Sequence, residues 1–267
     1  FNRKDKIKIK FEWSDWKYKK RDNEYKLQIW DEIKIFLSDT EFDLLNKEEK
    51  KETIIIENTQ KLEKTDIVYE DWDILVINKN PNINVHPWDH KTKETNVISM
   101  VQDYLWDKLN SLTFKPSLIH RIDRDTSGIL LIAKKKDLLV KLVNDFKDHK
   151  KVKKTYCCLV LWKLSRSSWT ITKKLKRIEW ATNENKVQIS ESWLTAISHY
   201  KLLKEHSLNT KEWKLIISEV EVSIETGRMH QIRVHMASLW NPILWDKNYG
   251  DKKINAFLSK NYGLPRQ

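Results

Sequence analysis

Only 4 of the 267 residues are glycine, whereas 13 are tryptophan, and this pair of numbers limits the fold more than any other feature of the chain. Glycine is the residue that enters positive φ without steric cost, so tight turns, helix ends and bulges draw on it. Soluble proteins carry about 7% glycine, and here glycine and tryptophan together come close to that share. The chain therefore either makes very few left-handed turns or places indoles where glycines ordinarily sit.

At 267 residues there is room for one catalytic core and a small extra module, with enough chain to bury a sizeable apolar interior. Lys and Arg number 50 against 38 Asp and Glu, for a net charge of +12. Such an excess suits a polyanion, nucleic acid first of all, through counterion release, although abundant surface lysine serves solubility as well. The two cysteines, Cys157 and Cys158, are adjacent, which rules out a disulfide framework or a spaced zinc site and leaves apolar strand packing as their expected role. No apolar run approaches the length of a membrane span, and residues 1–20 lack the apolar core of a signal peptide. A cytoplasmic, monomeric protein without membrane contact is expected, with an N-terminus that is cut or incomplete before Phe1.

Periodicity places the elements. Ile74–Ile77 reads as a buried strand and 95–109 as a helix. Ile129–Ala133 reads as a second strand, followed by a helix capped by Asp137 whose Leu139, Leu142, Val143 and Phe146 share a core face. A basic run, Lys147 to Lys154, leads into a strand at 156–161. Val220, Val222 and Ile224 alternate with Glu219, Glu221 and Glu225 as in a half-buried strand, and 230–239 resumes at helical spacing. Strands and helices mixed without regular βαβ alternation predict an α+β fold, a mixed and largely antiparallel central sheet flanked by helices and loops. No internal repeat is visible.

The chemistry concentrates at His120-Arg121-Ile122-Asp123-Arg124-Asp125-Thr126-Ser127-Gly128, which runs directly into the apolar Ile129–Ala133. Charges at the mouth of a buried strand are costly unless they pair or react. This stretch resembles the signature of pseudouridine synthases of the RluA type, with Asp123 at the catalytic aspartate. A distant second stretch, Glu225 to Met236 with Arg228 and Arg233, resembles that family's arginine-bearing motif. Asn78-Lys79 through Val85-His86-Pro87, Lys154-Thr155-Tyr156, and Asn241 to Asp246 with Tyr249-Gly250 resemble three further motifs. The resemblance spans residues 66–263 and implies a pseudouridine synthase catalytic domain over 66–267. Residues 1–45 resemble the C-terminal half of a ribosomal-protein-like RNA-binding module plus a linker.

What the resemblance implies chemically is an isomerisation of uridine in structured RNA, large-subunit ribosomal RNA first and transfer RNA second, without metal or organic cofactor. Asp123 would act as nucleophile or base at the ribose, since a carboxylate is charged at neutral pH and a neighbouring guanidinium keeps it so. Arg233 is the expected partner, with Arg228 as the alternative. Tyr156 would wall the uracil and take or relay its C5 proton, Ile232 would supply an apolar wall, and Arg121 would fill the gap left by the flipped base. His120 and Lys154 are expected to touch substrate or RNA, although His120, His230 and His235 read as structural hydrogen-bonders rather than catalysts. Two other functions use the same residues: an RNA-binding assembly factor without activity, and a glycosidase using Asp123 with Asp125. A kinase reading of His-Arg-Ile-Asp fails on spacing.

The resembling motifs expect glycine at Trp30, Trp88, Trp162, Trp240 and Trp245. Two readings stand: these are glycines written as tryptophan because a reassigned stop codon was translated under the wrong code, or the chain is authentically rich in tryptophan.

Overall fold

In the computed structural model, residues 7–10, 32–35, 60–87, 95–105, 114–178, 186–209 and 214–262 are described. Two compact units divide the chain, Phe1–Glu57 and Asn58–Gln267. The first contains an antiparallel ladder of β1 (Ile7–Lys10) and β2 (Glu32–Ile35), in which Ile7 faces Ile35. The remainder of the RNA-binding module expected over 1–45 lies outside the described residues, as do Trp30 and Trp88.

The second unit holds two sheets. Four strands form the smaller one in the order β3 (Ile67–Glu70), β4 (Ile74–Lys79), β6 (Gly128–Ala133), β5 (Ser117–Leu118). Leu75 and Ile77 of β4 and Leu130 and Ile132 of β6 alternate onto one face, where they meet Val97, Val101 and Leu105 of helix α1 (Val97–Leu105). The four-residue spacing in the helix and the two-residue spacing in the strands make both apolar surfaces continuous. Five strands form the larger sheet in the order β7 (Lys154–Leu161), β11 (Lys214–Ile224), β10 (Leu194–Asn209), β8 (Ser168–Ile178), β9 (Lys186–Ile189). Val160, Ile171, Tyr200, Val220, Val222 and Ile224 form its core with Met236 of helix α3 (Gln231–Ala237). Every named strand pair is antiparallel, so the expected α+β fold takes the form of two sheets. The outer edge of β7 is covered by the chain at 242–244: Leu161 N–H donates to the Pro242 carbonyl and Leu244 N–H to that of Leu159, which removes an exposed pairing edge. Helix α4 (Lys252–Tyr262) buries Ile254 and Leu258.

Helix α2 (Lys136–Lys147) departs from expectation in two ways. Its N-cap is Lys135, with no side-chain cap, and Asp137 sits inside the first turn, where its charge favours the helix dipole instead. Leu139, Leu142, Val143 and Phe146 do share a face, but each is only half-buried. The cysteine pair also splits. Cys158 packs against the larger core, whereas Cys157 is exposed, because adjacent strand residues point to opposite faces.

Candidate active site

The loop between β5 and β6 carries Asp123. A turn holds it, with Thr126 N–H donating to the Asp123 carbonyl at 3.2 Å, and Gly128 then enters β6 at φ 128°, a conformation open to glycine. A lysine anchors the loop from the neighbouring strand. Lys79, at the end of β4 and paired in register with Gly128, is 3% exposed. Its Nζ donates to the carbonyls of Arg124 at 2.7 Å, Asn80 at 2.7 Å and Ile83 at 3.1 Å. Burial pushes this amine down to about 8, against the pull of Asp125 and Asp123. Lys79→Met keeps the apolar stem but strands three carbonyls, which is expected to destabilise the protein by about 3 kcal/mol. Thermal melting checks it, and an unchanged melting temperature would refute the anchor.

Arg233 lies on α3, whose start is organised by Gln231, 3% exposed. Its Oε1 accepts from Thr226 Oγ1 at 2.8 Å and from Arg228 N–H at 3.0 Å, and its Nε2 donates to the Ile197 carbonyl and to Ser198 Oγ. Arg233 joins two carboxylates. Nε and Nη2 grip Asp246 at 2.6 and 2.9 Å, and Nη1 reaches Asp123 Oδ2 at 3.1 Å. Burial opposes the charge on Arg233, but Asp246 and Asp123 together hold its guanidinium above the usual range. Burial likewise works against Asp246, yet Arg233 and the backbone N–H groups of Tyr249 and Asn248 keep its carboxyl below the usual range. A side-on fork to Asp246 fixes the guanidinium plane, leaving one end nitrogen aimed at Asp123.

Around this pair lie three rings. His230, at φ 52° before α3, stands 3.9 Å from Asp123 through Nε2 and shares a 3.0 Å hydrogen bond between Nδ1 and Tyr249 Oη. Burial, helped by Arg233, pushes its pKa down. Tyr249 lies 5.1 Å under the Arg233 guanidinium. Tyr156 on β7 and Ile232 on α3 both pack against the core of the larger sheet, and burial together with Asp123 raises the Tyr156 phenol. The phenol therefore keeps its proton at neutral pH.

Other expected residues stand elsewhere. Arg228 is exposed and directs Nε to the Thr195 carbonyl at 3.4 Å, so the choice between the two arginines falls on Arg233. Arg121 is exposed, and its charge acts on His86 and His230. His120 is half-buried with internal partners: Nε2 accepts from Leu131 N–H at 3.3 Å and the ring stacks on Phe146 at 4.8 Å. Lys154, the other expected RNA contact, is half-buried and donates to the Phe146 carbonyl at 3.3 Å. Asp246, Lys79 and Tyr249 had received no role from the sequence. Asp246 stands inside the motif at Asn241 to Asp246, but its burial, the signal that matters, is not written in a sequence.

His120 and His235 give the site an acid limit. Burial pushes each down to about 4, helped by Lys154 and Lys173 respectively. The unfolded chain takes up these protons first, so their contribution is complete above pH ~6.5 and is lost as pH falls toward 4. Each is expected to cost on the order of 2–3 kcal/mol by then. Melting temperatures measured from pH 7 to pH 4 should fall less in His120→Phe than in the parent.

This architecture is that of a pseudouridine synthase domain: the human RNA pseudouridylate synthase domain containing 4 matches it with a TM-score of 0.56 over 74% of this chain and 76% of that one, at 23% identity. The chain belongs to the RNA pseudouridylate synthase family, whose pattern residues 73–238 match. Ribosomal large subunit pseudouridine synthase C of Buchnera aphidicola subsp. Schizaphis graminum is 32% identical over 249 residues, 91% of this chain and 70% of that protein. Its counterpart in Buchnera aphidicola subsp. Baizongia pistaciae is 32% identical over 256 residues, 93% of this chain and 72% of that protein. Among the described residues no helix is long and apolar enough to cross a membrane.

Proposed function

We propose that this enzyme converts uridine to pseudouridine in large-subunit ribosomal RNA, working in the cytoplasm as a monomer, with Asp123 as its reacting carboxylate. The observation that carries the reading is the 3.1 Å bond from Arg233 Nη1 to one oxygen of Asp123, made by an arginine locked from behind by buried Asp246. The guanidinium orients Asp123 through one carboxylate oxygen, and the second oxygen is directed to the sugar. The bond from C1′ to N1 breaks, the uracil turns within the site, and C5 bonds to C1′. C5 then loses its proton and N1 gains one, so the product has the mass of the substrate.

Tyr156 and Ile232 form the apolar walls for the uracil. As a neutral phenol, Tyr156 relays the C5 proton through its hydroxyl more readily than it abstracts it. Arg121, exposed at the loop, is the group available to enter the stack vacated by the base. The net charge of +12 supports binding to RNA through its phosphates.

Mapping pseudouridines across total RNA from cells with and without the gene tests activity and substrate together. Loss of one or more large-subunit ribosomal sites is the expected result. Loss confined to transfer RNA would move the substrate, and release of free uracil would replace the isomerase by a glycosidase.

A further inference from the structure

Three tryptophans stand in backbone conformations that belong to glycine: Trp162 at φ 70°, Trp240 at φ 63° and Trp245 at φ 63°. Each occupies a different glycine niche. Trp240 follows α3, where its N–H donates to the Ala237 carbonyl and Asn241 N–H to that of Met236; this is a Schellman end with Trp240 at its left-handed position, C′. Trp245 is the third residue of a turn closed by Asp246 N–H to the Ile243 carbonyl at 3.3 Å, where positive φ calls for glycine. Trp162 leaves the end of β7 with its N–H on the Ile216 carbonyl at 2.8 Å and its own carbonyl held by Ser218 Oγ at 2.9 Å.

Trp162 and Trp240 leave their side chains exposed, and Trp245 packs only in part against the core of Leu161, Leu215, Leu244, Ile254 and Leu258. None of the six tryptophans among the described residues is buried, and Trp240 and Trp72 are 87% and 85% exposed, whereas tryptophan is on average highly buried. Trp245 is partly covered, yet its indole Nε1 is enclosed without a hydrogen-bond partner, which is rare for a buried donor. All three share the left-handed backbone, Trp162 and Trp240 have open side chains and Trp245 has an orphaned N–H, at residues where the resembling motifs expect glycine.

We infer that positions 162, 240 and 245 are glycine in the protein its own cell makes. The codon there is UGA, a stop codon that this cell reads as glycine and that another code reads as tryptophan. The low glycine and high tryptophan counts then have one cause. The residue at 245 also acquires a purpose, since a glycine there lets the chain turn and deliver Asp246 to Arg233. This inference stands apart from the catalytic reading, because it rests on the backbone and surroundings of the tryptophans and not on the role of Asp123.

Peptide sequencing by mass spectrometry on protein purified from its source cells decides it: glycine is expected at all three positions, and tryptophan at them would overturn the inference. The gene offers a second check, with UGA expected at the three codons and UGG overturning the claim. Recombinant chains with and without Trp162→Gly, Trp240→Gly and Trp245→Gly test the physics. The triple variant is expected to melt several degrees higher, and a variant that melts no higher would remove the steric basis.

Discussion

Asp123→Asn is expected to lose at least about a thousandfold in rate, which is about 4 kcal/mol of transition-state stabilisation, while folding and RNA affinity stay close to those of the parent. Asparagine has the same shape and can still accept a hydrogen bond from Arg233, but it cannot carry the charge that attacks or assists at C1′. The measurement is single-turnover conversion of a ribosomal RNA fragment, followed by filter binding of the same fragment. Retained binding with lost turnover separates the enzyme from an RNA-binding assembly factor, in which the substitution changes nothing. Full activity of Asp123→Asn would end the proposal, since among the described residues the carboxylates bonded to Arg233 are Asp123 and the buried Asp246.

Asp246→Ala is expected to cost about 3 kcal/mol in stability and to abolish most activity, although Asp246 does not react. The side chain of Asp246 is 3% exposed and that of Arg233 21%. Removing one member of a buried ion pair leaves the other charge without compensation, and the cost is that of the stranded guanidinium. Arg233 is then free to swing fully onto Asp123 and neutralise it from the wrong direction. A fall in melting temperature of roughly 6–12 °C follows from that energy for a folded unit of this size. Asp246→Asn, which keeps one acceptor and the turn, should recover part of the stability and little of the rate. If Asp246→Ala melted like the parent, the locking role given to the fork would be wrong.

The sequence carried the local elements well where one face of an element had to be buried. The alternation of Val220, Val222 and Ile224 became β11, and the apolar run after Gly128 became β6, because a period of two in a strand is written directly in residue order. It was weaker at element ends. Asp137 looked like a cap and is an interior residue of the first turn, since capping depends on the backbone angle of the preceding residue and not on the side chain alone. His120 and Lys154 read as RNA contacts by their place in motifs, and the fold turns both to internal partners.

What the amino-acid order settled by itself was the family, the α+β class, the charge that suits RNA, and the anomaly of its tryptophans, all of which are local or compositional. Folding decided what distance in the chain conceals. Asp123 and Arg233 are 110 residues apart and meet at 3.1 Å, while Asp246 and Lys79 gain their roles only through burial. Hydrogen bonds and ion pairs of this kind depend on ångström-scale proximity and on the exclusion of water, and neither exists until the two sheets and α3 have packed.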